Sequence, residues 1–396
     1  MKSRQILLLI NLFFVFLLFP ILKPQAQLGV SNQQIMVDWL EARLKAQIAN
    51  NNSEAWQREL PQNKPKGTKN LIVSDKVFNK LSRPLQNYFS NQTFQEPIPN
   101  VANKENFLIN DSSQDTGAKV QNNTSSAVSG NNIVVAYNDI GTEISSISYS
   151  NDGGETWKAS RIPQLLTGRN FGSGVVAASG KTFYYTGLAV TNDGVPVIII
   201  SRSSDAGQTW SIPTVVSSPS GAGSFQDKPW IAIDNSKTGL EGNIYIGWTD
   251  FASIGVDTGS RIVCAVSTNN GVSFAKPIAL TSLDVSFSIQ GVTIAIGPNG
   301  EVNLAWGDSG VLGISFAQST DGGKTFSQPR AAAIVKTYEL LGTLLNSHFE
   351  ANGLPSLAVD TSNSPNRGTL YIVFNAPSFT NSQDRADVLL VRSTNE

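Results

Sequence analysis

The chain has 396 residues, 40% of them hydrophobic, with 33 glycines and near-balanced charge, 29 basic against 30 acidic. That length and apolar content allow a large buried core and exclude a disordered chain, and the charge balance argues against a nucleic-acid partner. A single cysteine, Cys264, excludes an internal disulfide; with a single histidine, His348, it leaves no zinc-binding set, so neither metal nor other cofactor is expected.

Residues 1–26 carry Lys2 and Arg4, then the apolar run Ile6 to Leu22, then a polar Lys-Pro-Gln-Ala-Gln. This is the layout of a secretory leader cleaved near Ala26, which would make the protein secreted, periplasmic or cell-surface. An uncleaved anchor is the alternative, because the 17-residue run approaches the ~20 residues of a membrane span. Without the leader the balance is 26 basic against 30 acidic. Residues 27–110 form an Asn- and Gln-rich extension. In it Ser31 and Gln34 make a capping-box pair, and Met36, Leu40, Leu44 and Ile48 recur every four residues, which predicts a helix over 32–58. Glu41, Arg43 and Lys45 give that helix no cationic face for a membrane.

Residues 111–396 repeat. Each unit opens with a short apolar strand holding a small residue: Ala127, Ala177, Ala232, Ala295 and Ala358 take matching places. A glycine leads into a second strand ending in an aromatic and often an aspartate, as in Gly242 to Asp250 and Gly300 to Asp308. A third strand runs into a turn read as Ser-x-Asp-x-Gly-x-Thr-Trp, from Ser150, Ser203, Ser267 and Ser319; the third copy carries Asn269, Ser273 and Phe274, the fourth Phe326. Pro213, Pro277 and Pro329 follow each of the last three turns, which predicts an edge strand there. Four antiparallel strands per unit, with a small-residue inner strand and an outer edge strand, predict an all-β fold, the β-propeller. Cys264 falls within the alternating Arg-Ile-Val-Cys-Ala-Val-Ser and reads as a buried small hydrophobe.

The repeated turn resembles the Asp box of the sialidase superfamily, the BNR-repeat propellers, and the resemblance covers about residues 120–396. It implies six blades in a complete propeller, of which about four and a half are supplied here. It gives Asp152, Asp205, Asn269 and Asp321 a structural place at peripheral turns. It also implies an exo-sialidase: three arginines clamping a carboxylate, a tyrosine nucleophile helped by a glutamate, and an aspartate as acid/base. The family's first arginine lies in an Arg-Ile-Pro motif near the first inner strand. Here Arg161 to Pro163 follows the first box instead, in an outer-strand place, and the expected stretch from Asn122 has no arginine.

Ligands of such a propeller are expected at loops entering the inner strands and leaving the second strands. Those loops nominate Asp250 and Glu350 as catalytic candidates and Arg169, Asp227, Lys228 and Asp308 as ligand-binding candidates, with Asp139 also on a loop leaving a second strand; Asp250 and Asp308 share an equivalent position. His348 reads as a loop residue. Three readings stay open: a sialidase-type glycoside hydrolase, a non-catalytic glycan- or protein-binding propeller, or a scaffold of an exported complex. Oligomeric state is not legible. The terminal Val-Arg-Ser-Thr-Asn-Glu reads as a box interrupted before its glycine, hence a shortened propeller; the alternative is a closed five-blade ring completed by residues 105–111.

Overall fold

A computed structural model describes residues 69–70, 93–94, 108–110, 121–139, 144–218, 224–254, 257–285, 289–335, 341–343, 350–376 and 387–393. The leader-like residues 1–26 and the expected helix over 32–58 lie outside the described residues, as does His348. The chain divides into two compact units, 1–122 with 139–144, and 123–138 with 145–396. In the first, Lys69–Asn70 pairs antiparallel with Thr93–Phe94, and 108–110 takes no strand.

The second unit holds five consecutive antiparallel sheets, apart from a few end residues of blade 1. Blade 1 is Gln121–Ser129, Asn132–Asp139, Ile144–Ser150 and Lys158–Arg161. Blade 2 is Gly168–Ser179, Thr182–Thr191, Pro196–Ser203 and Thr214–Ser217. Blade 3 is Phe225–Ile233, Ile244–Ile254, Asp257–Ser267 and Ile278–Ala279. Blade 4 is Ile289–Ile296, Val302–Asp308, Gly313–Ser319 and Arg330–Ile334. Blade 5 shows Ser356–Val359, Leu370–Ala376 and Asp387–Arg392. Each sheet runs in chain order, and each packs on the next: the fold is a β-propeller. Pro213, Pro277 and Pro329 stand immediately before the outer strands rather than within them, where their missing N–H costs no ladder bond.

Side-chain alternation builds the core between blades rather than inside them. In blade 3, Ile244, Ile246 and Trp248 face blade 2, while Tyr245 faces blade 4. In blade 2, Phe183 and Tyr185 face blade 1 and Tyr184 faces blade 3. Each fully buried side chain of this kind contributes about 1.5–3 kcal/mol. Cys264 belongs to the blade 3–4 junction, where burial pushes its thiol up to about 12.

One blade departs from the repeat. The aromatic near the end of the second strand is Tyr137, Trp248, Trp306 and Phe374 in four blades, but Gly187 in blade 2. There the ring of Tyr185, two residues earlier, fills the space: a Cβ on Gly187 would lie 2.3 Å from the Tyr185 hydroxyl. The hydroxyl donates to Ser145 Oγ.

The four boxes share one hydrogen-bonding circuit at the third-to-fourth turns. In the fourth, Ser319 Oγ donates to Asp321 Oδ1 (2.8 Å), Gly323 N to Ser319 Oγ (2.9 Å), Thr325 N to Oδ1 (3.0 Å) and Thr325 Oγ1 to Oδ2 (2.6 Å). The first and second repeat it through Ser150, Asp152, Thr156 and Ser203, Asp205, Thr209. In the third, Asn269 Oδ1 accepts from Ser267 Oγ (2.9 Å) and Ser273 N (3.0 Å), but the last bond reverses: Asn269 Nδ2 donates to Ser273 Oγ (2.8 Å). Two successive left-handed residues make each turn, such as Ala206 (φ 59°) and Gly207 (φ 90°). A Cβ on Gly207 would meet Val134 Cγ2 of blade 1 at 2.7 Å, and one on Gly323 would meet Val266 Cγ2 of blade 3 at 2.7 Å. With the box aromatics Trp210, Phe274 and Phe326, these glycines seat each turn on the preceding blade.

The bonds from Ser150 and Thr156 hold the Asp152 carboxyl well below the usual carboxylate range, and those from Thr325 and Ser319 do the same for Asp321. Burial works against Asp205, but the bonds from Thr209 and Ser203 outweigh it and lower it too.

Candidate functional site

The box turns occupy one end of the blades. The opposite end carries the second-to-third turns and the links entering each first strand. At that end the first strands of blades 2, 3 and 4 each bulge, with Ser173 (φ 52°), Lys228 (φ 49°) and Gly291 (φ 69°) in the left-handed region. Such a turn frees a backbone N–H that needs an acceptor. Ser173 N donates to Asn138 Oδ1 of blade 1 (2.9 Å), and Gly291 N to Thr249 Oγ1 of blade 3 (3.0 Å). Blade 2 has Leu188 at the matching position, which offers no acceptor. Lys228 N donates instead to Asp227 Oδ1 (2.7 Å). Burial pushes the Asp227 carboxyl up, against the pull of the Lys228 ammonium and N–H.

Asp250 lies near the end of blade 3's second strand, buried, directly across from Arg261 on the third. Arg261 Nε and Nη2 donate to Asp250 Oδ2 at 2.9 and 2.8 Å, while Oδ1 is buried without a partner. Burial pushes the Asp250 carboxyl up and Arg261 pulls it down. Asp250 pairs in register with Gln226, and Asp227 with Thr249, so the two carboxylates sit in adjacent rows that point to opposite faces of the sheet.

Asp308 holds the same position in blade 4 but faces Gly313, not an arginine. It caps its own turn: Oδ1 accepts from Gly310 N (2.9 Å) and Val311 N (3.2 Å), Oδ2 from Ser315 Oγ (2.7 Å). Arg169 is exposed on blade 2's first strand, in register with Val190. Glu350 begins the short strand Glu350–Asn352, paired with Leu341–Thr343 apart from the blades. Thus Asp227 and Lys228 come together, Asp250 and Arg261 come together, and Asp308 stands alone as a turn cap. Arg161 ends blade 1's outer strand, as expected of a chance Arg-Ile-Pro. Arg261 went unnoticed in the sequence, since its partner is visible only once the hairpin register is known. Asp234 and Asp360 were also missed: each caps the first-to-second turn of its blade, accepting from Ser236 N and Ser362 N. Their shared Ala-x-Asp-x-Ser, in Ala232 to Ser236 and Ala358 to Ser362, was the available signal.

Among the described residues no three His, Cys, Asp or Glu side chains converge on a common point, and no helix is long and apolar enough to cross a membrane.

The family model described as BNR/Asp-box repeat matches residues 148–159, the first box. No curated protein matches the chain. Among solved structures, the chain is similar to a Hadza microbial sialidase (14% identity, 69% of this chain and 56% of that one, TM-score 0.49). It is also similar to an α-L-arabinofuranosidase from Fusarium graminearum (15%, 67% and 80%, 0.45) and to a leech intramolecular trans-sialidase (10%, 79% and 65%, 0.45). The chain spans just over half the length of the first. With one box matched by the family model and three more built on the same circuit in successive blades, the chain is a β-propeller that carries four Asp-box turns.

Proposed function

We propose that this is an exported, carbohydrate-directed propeller that binds glycans without hydrolysing them. The supporting observation is that Asp227, Asp250 and Asp308 are each engaged internally, by Lys228 N, Arg261 and a turn respectively. Glycoside hydrolysis needs two groups flanking one bond, and a sialidase needs arginine forks open to a carboxylate. Arg261 is instead committed to Asp250. Export rests on the leader-like residues 1–26. One observation favours the hydrolytic reading: the raised Asp227 carboxyl is the kind of group that serves as a general acid. The test pairs a glycan-array binding screen of the purified protein with turnover assays on fluorogenic sialosides and arabinofuranosides. Binding without turnover is expected; turnover abolished by Asp227→Asn would reverse the assignment.

A further inference from the structure

Asparagine followed by glycine is a chemically labile pair, because the glycine carries no side chain to shield its amide nitrogen from the asparagine beside it. The sequence holds three such pairs, Asn270–Gly271, Asn299–Gly300 and Asn352–Gly353. All three asparagines are exposed, so access to water does not separate them; local geometry does. Asn270 stands in the third box at φ 59°, and Gly271 N donates to Ser267 Oγ (3.0 Å). Asn299 stands in blade 4's first-to-second turn, where Gly300 N donates to Gly297 O (3.1 Å) and Asn299 Nδ2 to Glu301 Oε1 (2.8 Å). In both pairs the glycine nitrogen that would attack is turned to another acceptor, and in the second the amide that would leave is held as well. Asn352 is held in the opposite sense. It closes the strand Glu350–Asn352 on the link into blade 5, and its Oδ1 accepts from Leu354 N (3.2 Å). The ring closed by that bond contains both atoms that must join, Asn352 Cγ and Gly353 N, and the bond draws electrons from Cγ.

We propose that Asn352 is a site of spontaneous deamidation in the folded protein. Gly353 N gives up its proton as it bonds to Asn352 Cγ; the Cγ–Nδ2 bond breaks, and Nδ2 leaves with that proton as ammonia. A solvent water then opens the cyclic imide at either carbonyl. Attack at Cγ leaves an ordinary aspartate, and attack at the backbone carbonyl leaves an isoaspartate whose main chain runs through Cβ and Cγ. Either product puts a new carboxylate close to Glu350, at the end of the blades opposite the boxes. The isoaspartate also lengthens the chain just before Leu354, which packs so closely on Gly291 of blade 4 that no Cβ would fit there.

Peptide mapping by mass spectrometry of the full chain, incubated in mildly alkaline buffer, tests this against the same chain unfolded in urea. In urea the three pairs should convert at like rates. In the folded protein Asn352 should keep most of its urea rate, while Asn270 and Asn299, each behind a glycine N–H bond that must first break, should react about tenfold more slowly. The acidic species that forms first on anion exchange should be absent from Asn352→Gln. Folded protein in which Asn352 is slowed as much as the other two, or in which either of them keeps pace with it, overturns the proposal. So does a first acidic species that persists in Asn352→Gln.

Discussion

Ala206 sits at φ 59° where the first and fourth boxes have Gly153 and Gly322. A Cβ in that region costs about 1–2 kcal/mol, and a glycine's extra freedom when unfolded returns about 0.5–1. Ala206→Gly is therefore expected to raise stability slightly, by up to about 1 kcal/mol or a few degrees in Tm by calorimetry. The box carboxylates carry a pH signature. Asp152, Asp205 and Asp321 have folded values below their ordinary 3.8, so the unfolded chain binds protons more readily. Their stabilisation is complete above about pH 5 and drains away as pH falls through the ordinary 3.8 toward the folded values. Asn269 already shows that an amide closes the circuit, so Asp321→Asn should fold and make the acid decline shallower in urea titrations between about pH 2 and pH 5. Removing the Arg261 guanidinium has the opposite pH dependence. Arg261→Ala strands a buried carboxylate, at a cost of about 3–5 kcal/mol near neutrality. Asp250 is already raised by burial, so the loss should shrink as pH falls through its folded value and the acid becomes neutral.

The second strands test how far one repeat constrains another. Tyr185→Ala empties a junction space and should cost about 3–5 kcal/mol. Adding Gly187→Trp to that variant returns an aromatic to the position of Trp248 and Trp306, and should recover part of the loss in a double-mutant cycle, although Gly187→Trp alone clashes with the tyrosine ring. Strand order and the box turns were legible in the sequence, because period-two alternation and Ser-x-Asp-x-Gly recur at blade spacing, whereas Pro213, Pro277 and Pro329 were expected within the outer strands and stand just before them. The displaced ring in blade 2 was not: Thr182 to Gly187 fits the repeat loosely until packing shows which side chain fills the gap. The site was legible only as positions. Asp227 and Lys228 lie in blade 3's first strand, Asp250 in its second and Asp308 at the end of blade 4's second, where loops were expected, and that Asp250 answers an arginine and Asp308 a turn depends on the residue across the hairpin, Arg261 in one blade and Gly313 in the other.

Across the molecule, the four described junctions each draw side chains from two neighbouring sheets. Stability in such an array is set by nearest-neighbour interfaces. Native-state hydrogen exchange should be slowest in the second strands of blades 2 to 4, each gripped on both faces. It should be faster in Asp387–Arg392 of blade 5, and an exchange pattern uniform from blade 2 to blade 5 would contradict this. The alternation of Ile244, Tyr245, Ile246 and Trp248 between two junctions carries a further consequence. Half of every blade's hydrophobic set belongs to a neighbour, so no blade is an independent folding unit. Residues 225–279 expressed alone should remain unfolded. Cooperativity here is a property of joints, and the smallest piece able to hold its shape is a pair of adjacent blades.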